Sequence, residues 1–138
     1  MSLDKDKTVN FVLVRTMKDR ELVCLLLDRF PNIRDLVCPD EDCFELATIV
    51  YDSFARIVIQ RSDDPGFIQS VVLFINELAE NKSSLVQDVL TTCLLEGIAV
   101  NEQVARMMER TMTPHSKSLL HEVESNFYGR APKGSEET

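Results

Sequence analysis

Apolar residues recur along most of this chain at the spacing of an α-helix. Val23, Leu26, Leu27 and Phe30 follow i, i+3, i+4, i+7, and Pro31 then removes a backbone donor and ends the run. Ile68, Val71, Val72, Ile75, Leu78 and Ala79 repeat the pattern behind Asp64-Pro65, an N-cap aspartate with proline at the first helical position. Between them, Phe44, Ala47, Tyr51, Phe54 and Val58 form one face, opposite a polar stripe of Glu45, Asp52, Arg56 and Gln60. Asp42 with Glu45 predicts a capping box at the start of that helix. Ser84 with Gln87 opens a further helix carrying Val86, Val89, Leu90 and Cys93, which closes near Gly97. Asn101 caps a shorter one through Val104, Ala105, Met108 and Met112. Thr113-Pro114 starts the last, with Leu120, Val123 and Phe127 facing inward and Gly129 ending it.

The two ends read differently. Val9, Val12, Leu13 and Met17 share a helical face, whereas "TVNFVLV" is rich in β-branched residues and equally fits a strand. The final "GRAPKGSEET", residues 129–138, has nothing to bury and is expected to be a disordered polar tail after a single helical domain, 1–128. Six or seven helices joined by short loops predict an all-α fold, either an antiparallel bundle or stacked helical hairpins.

Composition agrees with that picture. The chain has 138 residues, one domain by size, with only 4 Gly and 5 Pro to punctuate it. Its longest notable apolar run, "LVCLLL", falls far short of the ~18–20 residues that a membrane span needs. The first apolar stretch is cut short by Arg15, so no secretory signal is expected, and the cytoplasm is the expected location. Thiols stay reduced there.

Charge changes the picture more. The net charge of −8 is concentrated: residues 35–105 carry 13 acidic side chains against Arg56, Arg61 and Lys82, a balance of −10. Residues 1–34 stand at +2, and residues 106–138 at zero. Such a middle repels phosphate backbones, so nucleic acid is not an expected partner and a basic protein is. Asp40, Glu41, Asp42, Asp63 and Asp64 all fall at predicted helix N-termini, where carboxylates complement the helix dipole. If the helices starting near 43 and 65 are antiparallel, Glu77 and Glu80 approach the start of the first. An acidic edge of Asp40, Glu41, Asp42, Glu77 and Glu80 is therefore the expected partner-binding surface.

Catalytic and metal chemistry finds little to stand on. The hexamer "CPDEDC", Cys38 to Cys43, supplies one thiol pair, but no second Cys or His pair follows to complete a zinc site. Its acidic run lacks the central glycine and ligand spacing of a calcium loop. A disulfide is conceivable in geometry but disfavoured by the expected compartment, which leaves a helix start. Cys24 and Cys93 lie on apolar faces, as buried free cysteines do. Met107, Met108 and Met112 read as core filler rather than as an adaptable binding face. Ser118, His121 and Glu124 allow a relay to be drawn, yet such triplets on an exposed helix are ordinarily solvent-facing. His115 and His121, six residues apart, point to different faces. No phosphate loop, HExxH or GxSxG is present. The expectation is a protein with no catalytic residues, no metal and no cofactor.

"LLDRFPNIRDLV", "IVYDSFARIVIQ" and "VVLFINELAENKSSLVQDVLTTCLLEGI" resemble a bacterial family of small, all-helical, uncharacterised domains, similar to the immunity proteins that neutralise polymorphic toxins. The resemblance rests on Phe30-Pro31, on Tyr51 with Phe54, and on Leu95-Glu96, and covers residues 20–100. It implies a non-enzymatic cytoplasmic domain that masks a basic protein, such as a toxin. The alternative is a helical oligomerisation or adaptor module, a homo-oligomer built on Phe67, Leu73 and Phe74, which fall off the main apolar stripe of their helix.

Overall fold

The computed structural model describes residues 17–130. The segment 8–15, for which helix and strand were both open, and the tail from 131 onward lie outside the described residues. Those described form an all-α fold with no strand among them. Seven helices make it up: α1 (Asp19–Arg29), α2 (Arg34–Val37), α3 (Ala47–Gln60), α4 (Pro65–Ala79), α5 (residues 84–99), α6 (Glu102–Glu109) and α7 (Pro114–Tyr128). Short 3₁₀ turns at Pro31–Ile33 and Glu41–Glu45 flank α2.

Most helix starts obey local chemistry. The side chains of Asp64, Ser83, Asn101 and Thr113 accept the backbone N–H of Phe67, Val86, Val104 and Ser116 in turn. Gly129 closes α7 in the left-handed conformation, at φ 64°. Gln87 does something different from opening a helix. Its amide reaches back to the carbonyls of Leu78 (3.1 Å) and Asn81 (2.7 Å), satisfying acceptors left over at the end of α4.

The start of α3 departs from the predicted capping box. Asp42 and Glu45 lie within the preceding 3₁₀ turn, and the helix begins at Ala47. The Ala47 N–H is taken by Asp19 Oδ2 at 3.0 Å, a carboxylate from the first turn of α1. The pairs Asp19–Ala47, Tyr51–Leu22 and Phe30–Phe54 place α1 and α3 side by side in the same direction. The intervening segment carries the chain back. By contrast Tyr51–Phe74 and Phe54–Phe67 run α3 against α4, and Arg106–Glu124 with Glu109–His121 run α6 against α7.

The core is continuous. Phe30 lies at the centre of an aromatic cluster with Phe54, Phe67 and Phe74, ring centroids 5.1–5.7 Å away. Phe74 is therefore buried and unavailable as an outer face, and Phe67 is half-covered. Helix α5 is the central rod, with Leu90, Cys93, Leu94 and Leu95 all buried in a π-helical turn at Leu90–Leu95. Thr91 and Thr92 hydroxyls donate to the carbonyls of Gln87 and Asp88 there, at 2.9 and 2.6 Å. The rod ends at Ala99, near Gly97 as expected, but Gly97 has another role within its last turn. A Cβ built on it would stand 2.6 Å from the Ala55 Cβ, so glycine is what lets α5 cross α3 so closely. Met108 and Met112 are buried core residues, whereas Phe127, expected inward, is about half exposed.

Candidate functional site

The 3₁₀ turn before α3 displays the acidic loop. Asp40, Glu41 and Asp42 are all exposed, and Asp40 Oδ1 accepts the Asp42 N–H at 3.1 Å, which folds the loop back on itself. Among the described residues none of the three has a cationic partner. At the base of the loop Cys38 and Cys43 are joined as a disulfide, with Cα atoms 5.5 Å apart. This corrects the expectation of two free thiols. That expectation came from compartment alone, whereas the turn brings the two side chains together beneath the carboxylates, both buried. Phe44 next to them is flanked by the guanidinium groups of Arg20 and Arg34, 5.1 and 5.5 Å from its ring centre. Glu45 pairs with Arg20 at 3.1 Å.

Glu77 and Glu80 are exposed too, but each is already engaged. Glu77 pairs with Arg29, whose guanidinium also lies over the Phe74 ring, and Glu80 meets His115 Nδ1 at 3.2 Å. No hydrogen bond or ion pair among the described residues links Glu77 or Glu80 to Asp40, Glu41 or Asp42. Among the described residues the five expected ones thus fall into a loop of three carboxylates without a partner and two engaged ones, Glu77 on α4 and Glu80 just past its end.

A second polar group was missed by sequence reasoning. Glu124, drawn as a solvent-facing residue, is buried and clamped between Arg106 and Arg130, the latter at 2.7 Å. Arg106 also lies 2.9 Å from Glu109, and Glu109 in turn is 2.6 Å from His121 Nε2. Burial alone pulls the Arg106 guanidinium down; its bond to Glu124 and the charges of Glu124, Glu109 and Glu102 more than reverse this and push it up. Ser118, His121 and Glu124 consequently form no relay, because His121 and Glu124 are each committed elsewhere. The groove beside His121 is lined by residues of α7 alone, among them Ser118 and Ser125. This network ties α6, α7 and Arg130 together; it is a brace.

Burial raises the Cys93 thiol, with Thr92 pulling the other way, which favours the protonated form. No group of three or more His, Cys, Asp or Glu placed to hold a metal ion occurs among the described residues. None of their helices is long and apolar enough to cross a membrane.

Neither a curated protein nor a solved structure matches the chain. One family model does, described as a domain of unknown function (DUF7674), over residues 23–129. The match runs past Gly97 through α6 and α7, beyond the stretch on which the sequence resemblance rested. The chain belongs to this family, DUF7674.

Proposed function

We propose that this domain is a non-enzymatic binding module of the cytoplasm, of the bacterial immunity type, which masks a basic surface on a protein partner such as a toxin. The observation that carries the reading is the loop at Asp40, Glu41 and Asp42. Three consecutive exposed carboxylates have no cationic partner among the described residues, within a segment whose balance is −10. By contrast Glu45, Glu77 and Glu124 pair with arginines, and Glu80 lies against His115. The loop is held in shape from within by the Asp40 cap and from below by the disulfide, so little order must be gained on binding. Glu77 and Glu80 would have to release Arg29 and His115 first, so they contribute less than the loop.

Unpaired carboxylates on a fixed loop steer a basic partner electrostatically, which makes association fast and salt-sensitive. The test is affinity capture from a host lysate at low salt, with the wild type beside a variant carrying Asp40→Lys, Glu41→Lys and Asp42→Lys. The expected result is one basic protein held by the wild type and lost from the variant. Its association rate should fall by roughly tenfold or more between low and physiological salt. A partner retained by the variant, or indifferent to salt, would overturn the reading.

A further inference from the structure

We infer that Cys38–Cys43 is a reversible redox pair that governs how the acidic loop is presented; the inference rests on the reading of that loop as the contact surface. The ring closed by the disulfide contains Pro39, Asp40, Glu41 and Asp42, and so all three unpaired carboxylates. Its two anchors sit at element boundaries. The Cys38 N–H bonds to the Arg34 carbonyl and closes α2, while the Cys43 carbonyl receives the Leu46 N–H just before α3. Opening the ring thus frees the loop without breaking either helix.

The other cysteines do not compete. Cys24 is half-buried on α1, and Cys93 is buried in α5. The pairing is local, within six consecutive residues, and closes the kind of short ring whose constraint on the unfolded chain is small. In the proposed cytoplasmic setting, disulfides are mainly transient and redox-responsive rather than permanent staples.

The exchange balances with a dithiol as co-reactant. A thiolate of the dithiol attacks the Sγ of Cys43, the less deeply buried residue of the two, and the S–S bond breaks to release the Cys38 thiolate. The second thiol of the dithiol then attacks the mixed disulfide. Two electrons and two protons pass to the protein, which leaves with two thiols, and the dithiol leaves as a disulfide. In oxidation by glutathione disulfide, one protein thiolate attacks it and releases one glutathione, and the second protein thiolate then displaces the other from the mixed disulfide, so that two electrons pass to two glutathione thiols.

The full chain would be equilibrated with dithiothreitol or with glutathione disulfide and followed by differential alkylation and hydrogen exchange, both read by mass spectrometry. The expected result is a Cys38–Cys43 bond in the oxidised form. On reduction, exchange of the amides of residues 40–46 should rise by about tenfold, with that of α4 and α5 unchanged. Affinity for a decalysine peptide, read by fluorescence anisotropy at low salt, should fall by about threefold on reduction. Cys43→Ala should behave as the reduced form under both conditions, and reduced wild-type protein gives the same comparison if that variant folds poorly. Two thiols that persist in glutathione disulfide, loop exchange that ignores reduction, or equal peptide affinity in both forms would each overturn the inference. A variant with Asp40→Asn, Glu41→Gln and Asp42→Asn separates the two readings. If it loses the peptide while both redox forms bind equally, the surface stands and the switch falls. If it binds as tightly as the wild type, both fall.

Discussion

Tyr51 shows how much one buried polar atom can set. Its side chain is wholly buried, and its hydroxyl donates to the Leu22 carbonyl at 2.8 Å, joining α1 to α3. Burial pushes the phenol well above its ordinary range, because a phenolate there would be stranded from water. In the unfolded chain the same group ionises near pH ~10. The folded state therefore holds a proton that the unfolded state gives up. Tyr51 imposes no pH dependence below that point, and above it stability falls by up to about 1.4 kcal/mol per pH unit. Tyr51→Phe should cost about 1 kcal/mol at neutral pH, where only the hydrogen bond is lost. Urea unfolding at pH 7 and at pH 10–11 should show the variant losing less on the way up. Parallel curves would mean that Tyr51 is not the proton carrier. The apolar face predicted Tyr51 as a core residue, but the carbonyl it seeks belongs to another helix. Glu124 escaped for the same reason: Arg106 lies on α6 and Arg130 beyond the end of α7, so only the fold shows that its charge is met.

At the scale of elements, local signals were legible and signals in trans were not. Asp64-Pro65, Asn101, Thr113-Pro114 and Gly129 mark real helix ends because each acts within its own turn. The start of α3 was misplaced because its cap comes from Asp19, 28 residues upstream. Helix α5 closes at Ala99, near Gly97 as expected, but Gly97 itself is a crossing point rather than the stop. Alanine there would ordinarily favour a helix by about 1 kcal/mol over glycine. Here its Cβ meets the Ala55 Cβ at 2.6 Å, and neither atom can rotate away. Forcing α3 and α5 apart costs ~1–3 kcal/mol and outweighs the gain. Gly97→Ala should therefore destabilise the domain in urea, and adding Ala55→Gly should recover most of the loss. A stabilised single variant would show that the two helices are not in contact at that point.

For the whole molecule, the question is whether its surface asks for a second copy. The all-α class followed from periodicity alone, since 3.6-residue spacing survives whatever the helices pack against. Which face stays outside did not, because Phe67 and Phe74 looked surplus only while α1 and α3 were out of view. With Phe74 buried and Phe67 against Phe30, Leu73 is the one member of the expected apolar face that is half exposed. Among the described residues the other large exposed apolar side chains are Leu25 on α1, Leu36 on α2, Leu46 and Ile49 at the start of α3, Val100 just after α5, and Phe127 with Tyr128 at the end of α7. Spread in ones and twos over separate elements, such residues are ordinary surface rather than the single broad patch of an apolar interface. Two copies would also bring together net charges of −8, which repel. The domain should therefore sediment as a monomer of 15.7 kDa across a wide range of concentration, and Leu73→Ser should leave that mass unchanged. A concentration-dependent dimer that Leu73→Ser dissolves would restore the oligomerisation module. A dimer indifferent to Leu73 but dispersed by high salt would instead locate self-association at attractive charged contacts that outweigh the repulsion of the net charges. Sedimentation at two salt concentrations distinguishes these outcomes, and it bears on partner binding too, since a self-paired surface would be closed to a basic protein.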